Sequence, residues 1–272
     1  MRAPVLRALG LLTAWGRGAG ALPVDALTAA GGRGVLSMGR PSYEGDRFRR
    51  LPRECVLGIA AVDVMLEDAR AGRAAIAGER TALLYASAAS YAASNRLFIE
   101  RGNGGAYFPY TAPASVPAEV AIEFGLNGPY GIFIGGPPAT LQAIWYAATL
   151  LEARQCDRAL VLAVEIFEEC ADLFAVGGRL TGHPLVEAAG AVWLEPGEGI
   201  LALESHRGGA RPDPGGIRQR LGETFACEPV AVWDLWRGGD AGGSLCLSGG
   251  WRGETVRLSW TGATARAETS TS

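Results

Sequence analysis

Lysine is absent from this chain, and all 25 basic residues are arginine. That excludes Schiff-base chemistry on a lysine and any phosphate loop built around one. Histidine is scarce, with only His183 and His206, which leaves little for acid–base or metal work. The five cysteines (Cys55, Cys156, Cys170, Cys227, Cys246) are odd in number, far apart and without CxxC spacing. Neither a disulfide framework nor a zinc site is indicated, and the usage fits a cytoplasmic protein. No residue pattern marks a cofactor or a metal. No apolar run reaches the length of a membrane span. The net charge is -3 with scattered arginines, so there is no nucleic-acid footprint and no polybasic membrane patch.

Hydrophobic residues are plentiful instead, at 49% of 272 residues, enough for a substantial core. The most informative stretch runs from Gly128 to Glu165. Tyr130 to Ile134 is short, aromatic and β-branched between glycines, which predicts a strand. Gly135-Gly136-Pro137-Pro138 predicts a tight turn, with Pro138 suited to a first helical position. Ala139 to Arg154 is long and rich in Ala and Leu, which predicts a helix, and Ala159 to Val164 predicts the next strand. Both the first strand and the helix are expected to be buried. A sharp turn from strand to helix is a frequent place for a nucleophile, because free N–H groups and the helix dipole stabilise an anion there. Pro137 and Pro138 offer neither an attacking side chain nor an N–H.

Around this stretch the chain alternates. Val5 to Leu12 is read as a first strand rather than a signal peptide, since Arg7 interrupts the apolar run and Gly16 to Gly20 dilutes it. Leu27 to Pro52 is expected to be loop with one short helix, and Arg47, Arg49, Arg50 and Arg53 are either a solvated charged surface or a site for an acidic partner such as a carrier protein. Glu54 to Ala69 is a helix, Thr81 to Ala86 a strand, Ser87 to Glu100 a loop and helix, and Ala114 to Phe124 a helix. The aromatic loop Tyr107-Phe108-Pro109-Tyr110 either lines a pocket or plugs one. Gly190 to Glu195 and Gly199 to Ser205 read as strands joined by a hairpin-like turn at Pro196-Gly197. Arg207 to Gly216 is a Gly/Pro linker, Ile217 to Trp236 carries mixed signals, and Ser244 to Leu247 and Thr255 to Trp260 are two further strands. The expected fold class is α/β, with residues 1–206 as one domain and 207–272 as a linker and β-hairpin appendage.

The order of pieces resembles the N-terminal half of a β-ketoacyl synthase over about residues 3 to 205. The resemblance rests on Gly125-Leu126-Asn127-Gly128-Pro129, the apolar strand, turn and small-residue helix, and then Asp157-Arg158-Ala159-Leu160-Val161-Leu162-Ala163-Val164-Glu165. It implies half of a thiolase fold, with a mixed five-stranded sheet and a buried central helix. It also places Pro137 where active ketosynthases carry the acyl-accepting cysteine. His183 and His206 match no family motif, and no second half supplying the acid–base residues is expected in a chain of this length. Ala114 stands where the family has an asparagine near the partner's active site.

A ketosynthase homologue without its nucleophile is similar to a chain-length factor, and half-length versions resemble those accompanying aryl polyene ketosynthases of type II polyketide synthesis. The resemblance implies a heterodimer with an active β-ketoacyl synthase and contact with acyl carrier protein through that complex. Tyr130, Gly131, Ile132, Phe133 and Ile134 would form the dimer edge, and Tyr91, Leu97, Phe98, Tyr107, Phe108 and Tyr110 the wall of the acyl tunnel. Two alternatives stay open. One is a noncatalytic scaffold or homodimer. The other is an acyltransferase or hydrolase using Cys170, whose neighbours Glu165 to Glu169 would raise a thiol pKa.

Overall fold

Apolar strands and small-residue helices build two sheets that share one buried helix layer. The computed structural model describes residues 1–100, 108–174, 176, 182–208, 212–213, 216–238 and 244–261. In chain order the elements are β1 (Val5–Thr13), β2 (Gly16–Arg17), α1 (Ala26–Ala30), β3 (Val35–Leu36), α2 (Asp46–Arg50), α3 (Arg53–Ala69), β4 (Thr81–Ser87) and α4 (Ala92–Glu100). There follow α5 (Ser115–Phe124), β5 (Tyr130–Ile134), α6 (Pro137–Glu152), β6 (Arg158–Glu165), β7 (Leu185–Val186), β8 (Ala188–Glu195) and β9 (Ile200–Arg207). The C-terminal part adds α7 (Ile217–Leu221), α8 (Glu228–Arg237), β10 (Leu245–Trp251) and β11 (Glu254–Thr261).

The main sheet has the order β2-β1-β8-β6-β4-β5. Its inner ladders are mixed: β6 is parallel to β4 and antiparallel to β8, and β4 is parallel to β5. The five expected strands are present, and the two-residue β2 adds a sixth at the far edge. Strands β4, β6 and β8 are buried on both faces, which explains their continuous apolar runs. One face carries α3 and α5, packed on Leu83, Tyr85, Leu160 and Leu162. Gly10 of β1 lets α3 approach closely, since a Cβ there would stand 2.4 Å from the Ala61 carbonyl oxygen.

The other face carries α6, with Ala143, Ile144, Ala147 and Leu151 all buried against Leu84, Val161 and Ala163. Beyond α6 lies a second, antiparallel sheet of order β10-β11-β9. Leu247, Val256, Leu258 and Trp260 of that sheet, and Val230 and Trp233 of α8, belong to the same apolar cluster as α6. The small residues of α6 allow it to sit between two sheets. The mixed signals of Ile217 to Trp236 resolve as α7 and α8, and the expected C-terminal hairpin is β10–β11.

Two expectations are corrected. The turn at Pro196-Gly197 does not make a hairpin: β8 pairs with β1 and β6, whereas β9 pairs with β11. Its cause is at the N-terminus. Gly197 packs on the chain start, where a Cβ would stand 2.5 Å from Val5, and Leu201 donates to the Met1 carbonyl at 2.9 Å. The chain is thereby carried past β1 into the second sheet. The second correction concerns β5, which is not buried. It pairs only with β4 and forms the sheet edge, with Tyr130 65% and Ile134 53% exposed.

Candidate functional site

Position 137 lies at the first turn of α6, with Gly136 as N-cap. A helix start normally leaves N–H groups free to hold an anion. Here Pro137 and Pro138 have none, and the next, Ala139 N–H, donates to the Gly136 carbonyl at 2.9 Å. The second sheet then covers the terminus. A Cβ on Gly136 would stand 2.3 Å from the Trp251 ring, and one on Gly249 would stand 2.3 Å from Pro137 Cβ. Trp251 meets Phe225 at 4.9 Å between ring centroids, Phe225 meets Phe167 at 5.3 Å, and Phe167 meets Phe174 at 5.2 Å. An apolar aromatic row therefore runs from Trp251, which stands against the turn, to Phe174, and Pro137 and Pro138 are both buried.

Beneath it, Glu165 ends β6 fully buried. Its carboxylate accepts from the Ala88 N–H at 2.6 Å, the Ala89 N–H at 2.9 Å, the Ala226 N–H at 3.3 Å and the Ser87 hydroxyl at 3.3 Å. Ser87 shares a 2.8 Å bond with Ser90, which shares one of 2.6 Å with Tyr85. Burial pushes the Glu165 carboxyl up to about 8 against the pull of those four donors. One carboxylate thus joins the loop after β4, the end of β6 and the chain leading into α8. The sequence signal was a lone acid closing an otherwise apolar strand.

A second buried carboxylate is Glu187. It accepts from Arg53 at 2.6 and 2.7 Å and from the Met38, Phe167 and Glu168 N–H groups, each at 2.8 Å. Arg53 also forks onto Glu169 at 2.7 Å. Arg47 pairs with Glu119 at 2.7 Å and with Glu123. Two of the four arginines read from sequence as a surface cluster are therefore neutralised within the chain. Arg49 pairs with Asp46 at 2.8 Å, largely in solvent.

The aromatic candidates separate. Phe98 on α4 meets Phe108 at 5.9 Å, and Phe108 is 64% exposed. Tyr91 and Leu97 are half-buried on and before the same helix. The Tyr91 carbonyl accepts from Asn95 Nδ2 at 2.8 Å, and that amide also donates to the Thr111 carbonyl at 2.8 Å, which fixes α4 to the loop before α5. Tyr110 packs instead against the α3–α5 core, with its hydroxyl 3.4 Å from Glu119. Tyr107 lies outside the described residues. Along β5, Ile132 packs on the α3–α5 side, while Phe133 packs on α6 and meets Tyr146 at 6.0 Å, and Gly131 faces Leu84. Cys170 is buried, and burial pushes its thiol pKa up, with Arg96 pulling the other way. Burial, more than the acidic neighbours, is what makes it a poor nucleophile. Among the described residues no helix is long and apolar enough to cross a membrane, and no group of three or more potential ligands could hold a metal.

The family model for the N-terminal domain of β-ketoacyl synthases matches residues 41–177, which is half of the chain and includes β4 to β6. The chain belongs to that family. Solved structures of ketosynthase-family proteins share its fold. The ishigamide ketosynthase/chain length factor is 16% identical, with a TM-score of 0.72 over 95% of this chain and 99% of that one. The type II acyl-carrier protein in complex with its hexaketide-bound ketosynthase, AntDE:AntF, matches at 15% identity and TM-score 0.75 over 96% and 99%. The ketosynthase ApeO with its chain length factor ApeC from Xenorhabdus doucetiae matches at 14% and TM-score 0.57 over 82% and 83%. No curated protein matches. The first two likenesses run through nearly the whole ketosynthase-family chain, so they extend past residue 206 into the second sheet. The sequence resemblance had stopped at residue 205.

Proposed function

We propose that this chain is a noncatalytic, chain-length-factor-like subunit that pairs with an active β-ketoacyl synthase and shapes that enzyme's acyl tunnel in type II polyketide synthesis of the aryl polyene kind. The observation that carries the reading is the start of α6. In a family whose chemistry depends on a nucleophile there, this chain has Pro137 and Pro138, both buried, with Pro137 packed against Gly249 of the second sheet. The exposed edge of β5 supports the pairing, since an apolar edge with Tyr130 and Ile134 in solvent is an aggregation hazard unless another strand covers it. In this reading residues 1–206 carry the pairing edge, and 207–272 close the helix terminus. The partner supplies the cysteine and both acid–base residues, and acyl carrier protein is met in the cytoplasm through the complex. Phe98 and Phe108, with Tyr91, Leu97 and Tyr107 nearby in the chain, set how far the product grows.

The test is co-expression with an active full-length ketosynthase from the same genome, mass determination of the complex, and elongation assays with each subunit omitted. A one-to-one complex that elongates only when both chains are present supports the reading, and Phe108→Ala then lengthens the product. A homodimer of this chain, with a ketosynthase that works alone, overturns it in favour of a scaffold.

A further inference from the structure

Helix α4 is held to the body of the protein mainly by polar side chains. Among the described residues, its single contribution to an apolar core is Ala93. The next three residues each reach a different element. The Ser94 hydroxyl donates to the Glu54 carboxylate, on the first turn of α3, at 2.5 Å. The Asn95 amide donates to the Thr111 carbonyl, ahead of α5, at 2.8 Å. The Arg96 guanidinium donates to Asp172 and, at 3.3 Å, to the Glu169 carbonyl, both in the segment after β6.

The frame that receives these bonds is itself fixed. Arg53, next to Glu54, is tied to Glu187 and Glu169, which sets the first turn of α3. Glu54 is 2% and Ser94 1% exposed, so the bond between them is shielded from water and correspondingly strong. The Arg96–Asp172 pair lies largely in solvent and holds less. Directly after the three anchors come Leu97 and Phe98, both half-buried, and the exposed Ile99. Phe98 follows Ser94 by four residues, so it stands one turn further along the same face of the helix. With only Ala93 buried in a core, apolar packing contributes little to where α4 sits, and the Glu54 and Asn95 bonds decide it.

We infer that Glu54 and Asn95 are positioning residues for product length: bonded to Ser94 and to the Thr111 carbonyl, they hold α4, and with it Leu97 and Phe98, at one depth, and elongation stops where that depth is set. This rests on the chain-length reading above. Both residues act through α4 rather than on the acyl chain. With either bond removed, α4 stays attached by the remaining anchors but yields to a longer chain pressing on Phe98. Product length then depends on how firmly the helix is held as well as on the bulk of its aromatic residues.

The experiment is the product-length distribution made by the complex with the active ketosynthase, read by mass spectrometry for wild type, Glu54→Ala, Glu54→Gln, Asn95→Ala, Gly249→Ala and Phe108→Ala, alongside the melting temperature of each chain. The ratio of over-length to wild-type product rises on the order of 10-fold in Glu54→Ala and about 5-fold in Asn95→Ala. Glu54→Gln keeps an oxygen to accept from Ser94 and restores the wild-type ratio. Gly249→Ala strains the second sheet but leaves the anchors of α4 intact, so it melts lower without lengthening the product. Should Glu54→Ala not assemble, Asn95→Ala decides alone, since its amide is half-buried and its removal strands only carbonyl groups. A wild-type distribution from an assembled Glu54→Ala or Asn95→Ala complex overturns the inference, as does an equal shift in Gly249→Ala, which would trace the change to lost stability. Longer products from Phe108→Ala in that same series leave the chain-length reading standing. If the ketosynthase makes the same lengths without this chain, that reading falls and takes this one with it.

Discussion

Adding one methyl group at Gly249 tests whether the start of α6 is closed. The new Cβ would stand 2.3 Å from Pro137 Cβ and 3.2 Å from the Pro137 carbonyl carbon. Carbon atoms prefer about 3.5–4.0 Å, so β10 or α6 must move by more than 1 Å. Neither is free to do so. The ladder from Leu245 to Trp251 holds β10, and Pro137 is locked by its own ring at the head of a buried helix. Overpacking of this kind costs about 1–3 kcal/mol, and at this chain length each kcal/mol lowers the melting temperature by about 2–4 °C. Gly249→Ala is therefore expected to melt about 2–12 °C below wild type by calorimetry. Gly39→Ala is the control, since its Cβ would meet nothing within 4 Å. A Gly249→Ala protein that melts with the control and the wild type would mean that the second sheet does not seal the terminus, and the closed-turn part of the argument would fail.

Other consequences follow from the same contacts. A cysteine placed by Pro137→Cys lies buried against Gly249, so it reacts with a thiol reagent on the order of 100-fold more slowly than the exposed Cys246 in the same molecule, and it restores no condensation activity. Equal labelling of both sites contradicts this. For Glu165 the folded carboxyl titrates near 8, above its ordinary 4.5, so between those values the folded chain keeps a proton that the unfolded chain releases. Stability conferred by that difference is complete below about 4.5 and is lost as pH rises towards 8, and denaturant melts of wild type and Glu165→Gln at pH 5, 6.5 and 8 should show the slope only in wild type. Arg53→Met leaves the buried Glu187 carboxylate without its cation, which costs on the order of 3–5 kcal/mol in equilibrium unfolding. Restoration of most of that loss by Glu187→Gln in the same chain would identify the uncompensated charge as the cause.

Much of the fold was legible because local composition and period decide local structure. The Ala- and Leu-rich segment after Pro138 became α6, the β-branched runs became β4 and β6, and Gly125 closed α5 in the left-handed conformation that glycine favours. The prolines at 137 and 138 announced a helix start without donors, and that held at the level of single atoms. Pairing was not legible, because a strand's neighbour depends on residues far away in sequence. Pro196-Gly197 has the composition of a hairpin turn, yet contacts with Ala3 and Val5 send β9 to the other sheet. The apolar run of Tyr130 to Ile134 looked buried because hydrophobicity does not say whether the covering surface lies within the chain.

The candidate site divides in the same way. That the turn at Pro137-Pro138 offers no attacking atom and no N–H could be read from residue types alone, since no arrangement gives proline either. The Phe98–Phe108 contact was anticipated as a region, though Tyr110 turned into the core to meet α5. Only the tertiary structure brought Trp251 over Gly136, gathered three backbone N–H groups around Glu165, and left Thr81 with a hydroxyl and no partner. Sequence fixes which groups a segment can offer, whereas burial and proximity, which set their pKa and accessibility, arise when segments distant in the chain exclude water together.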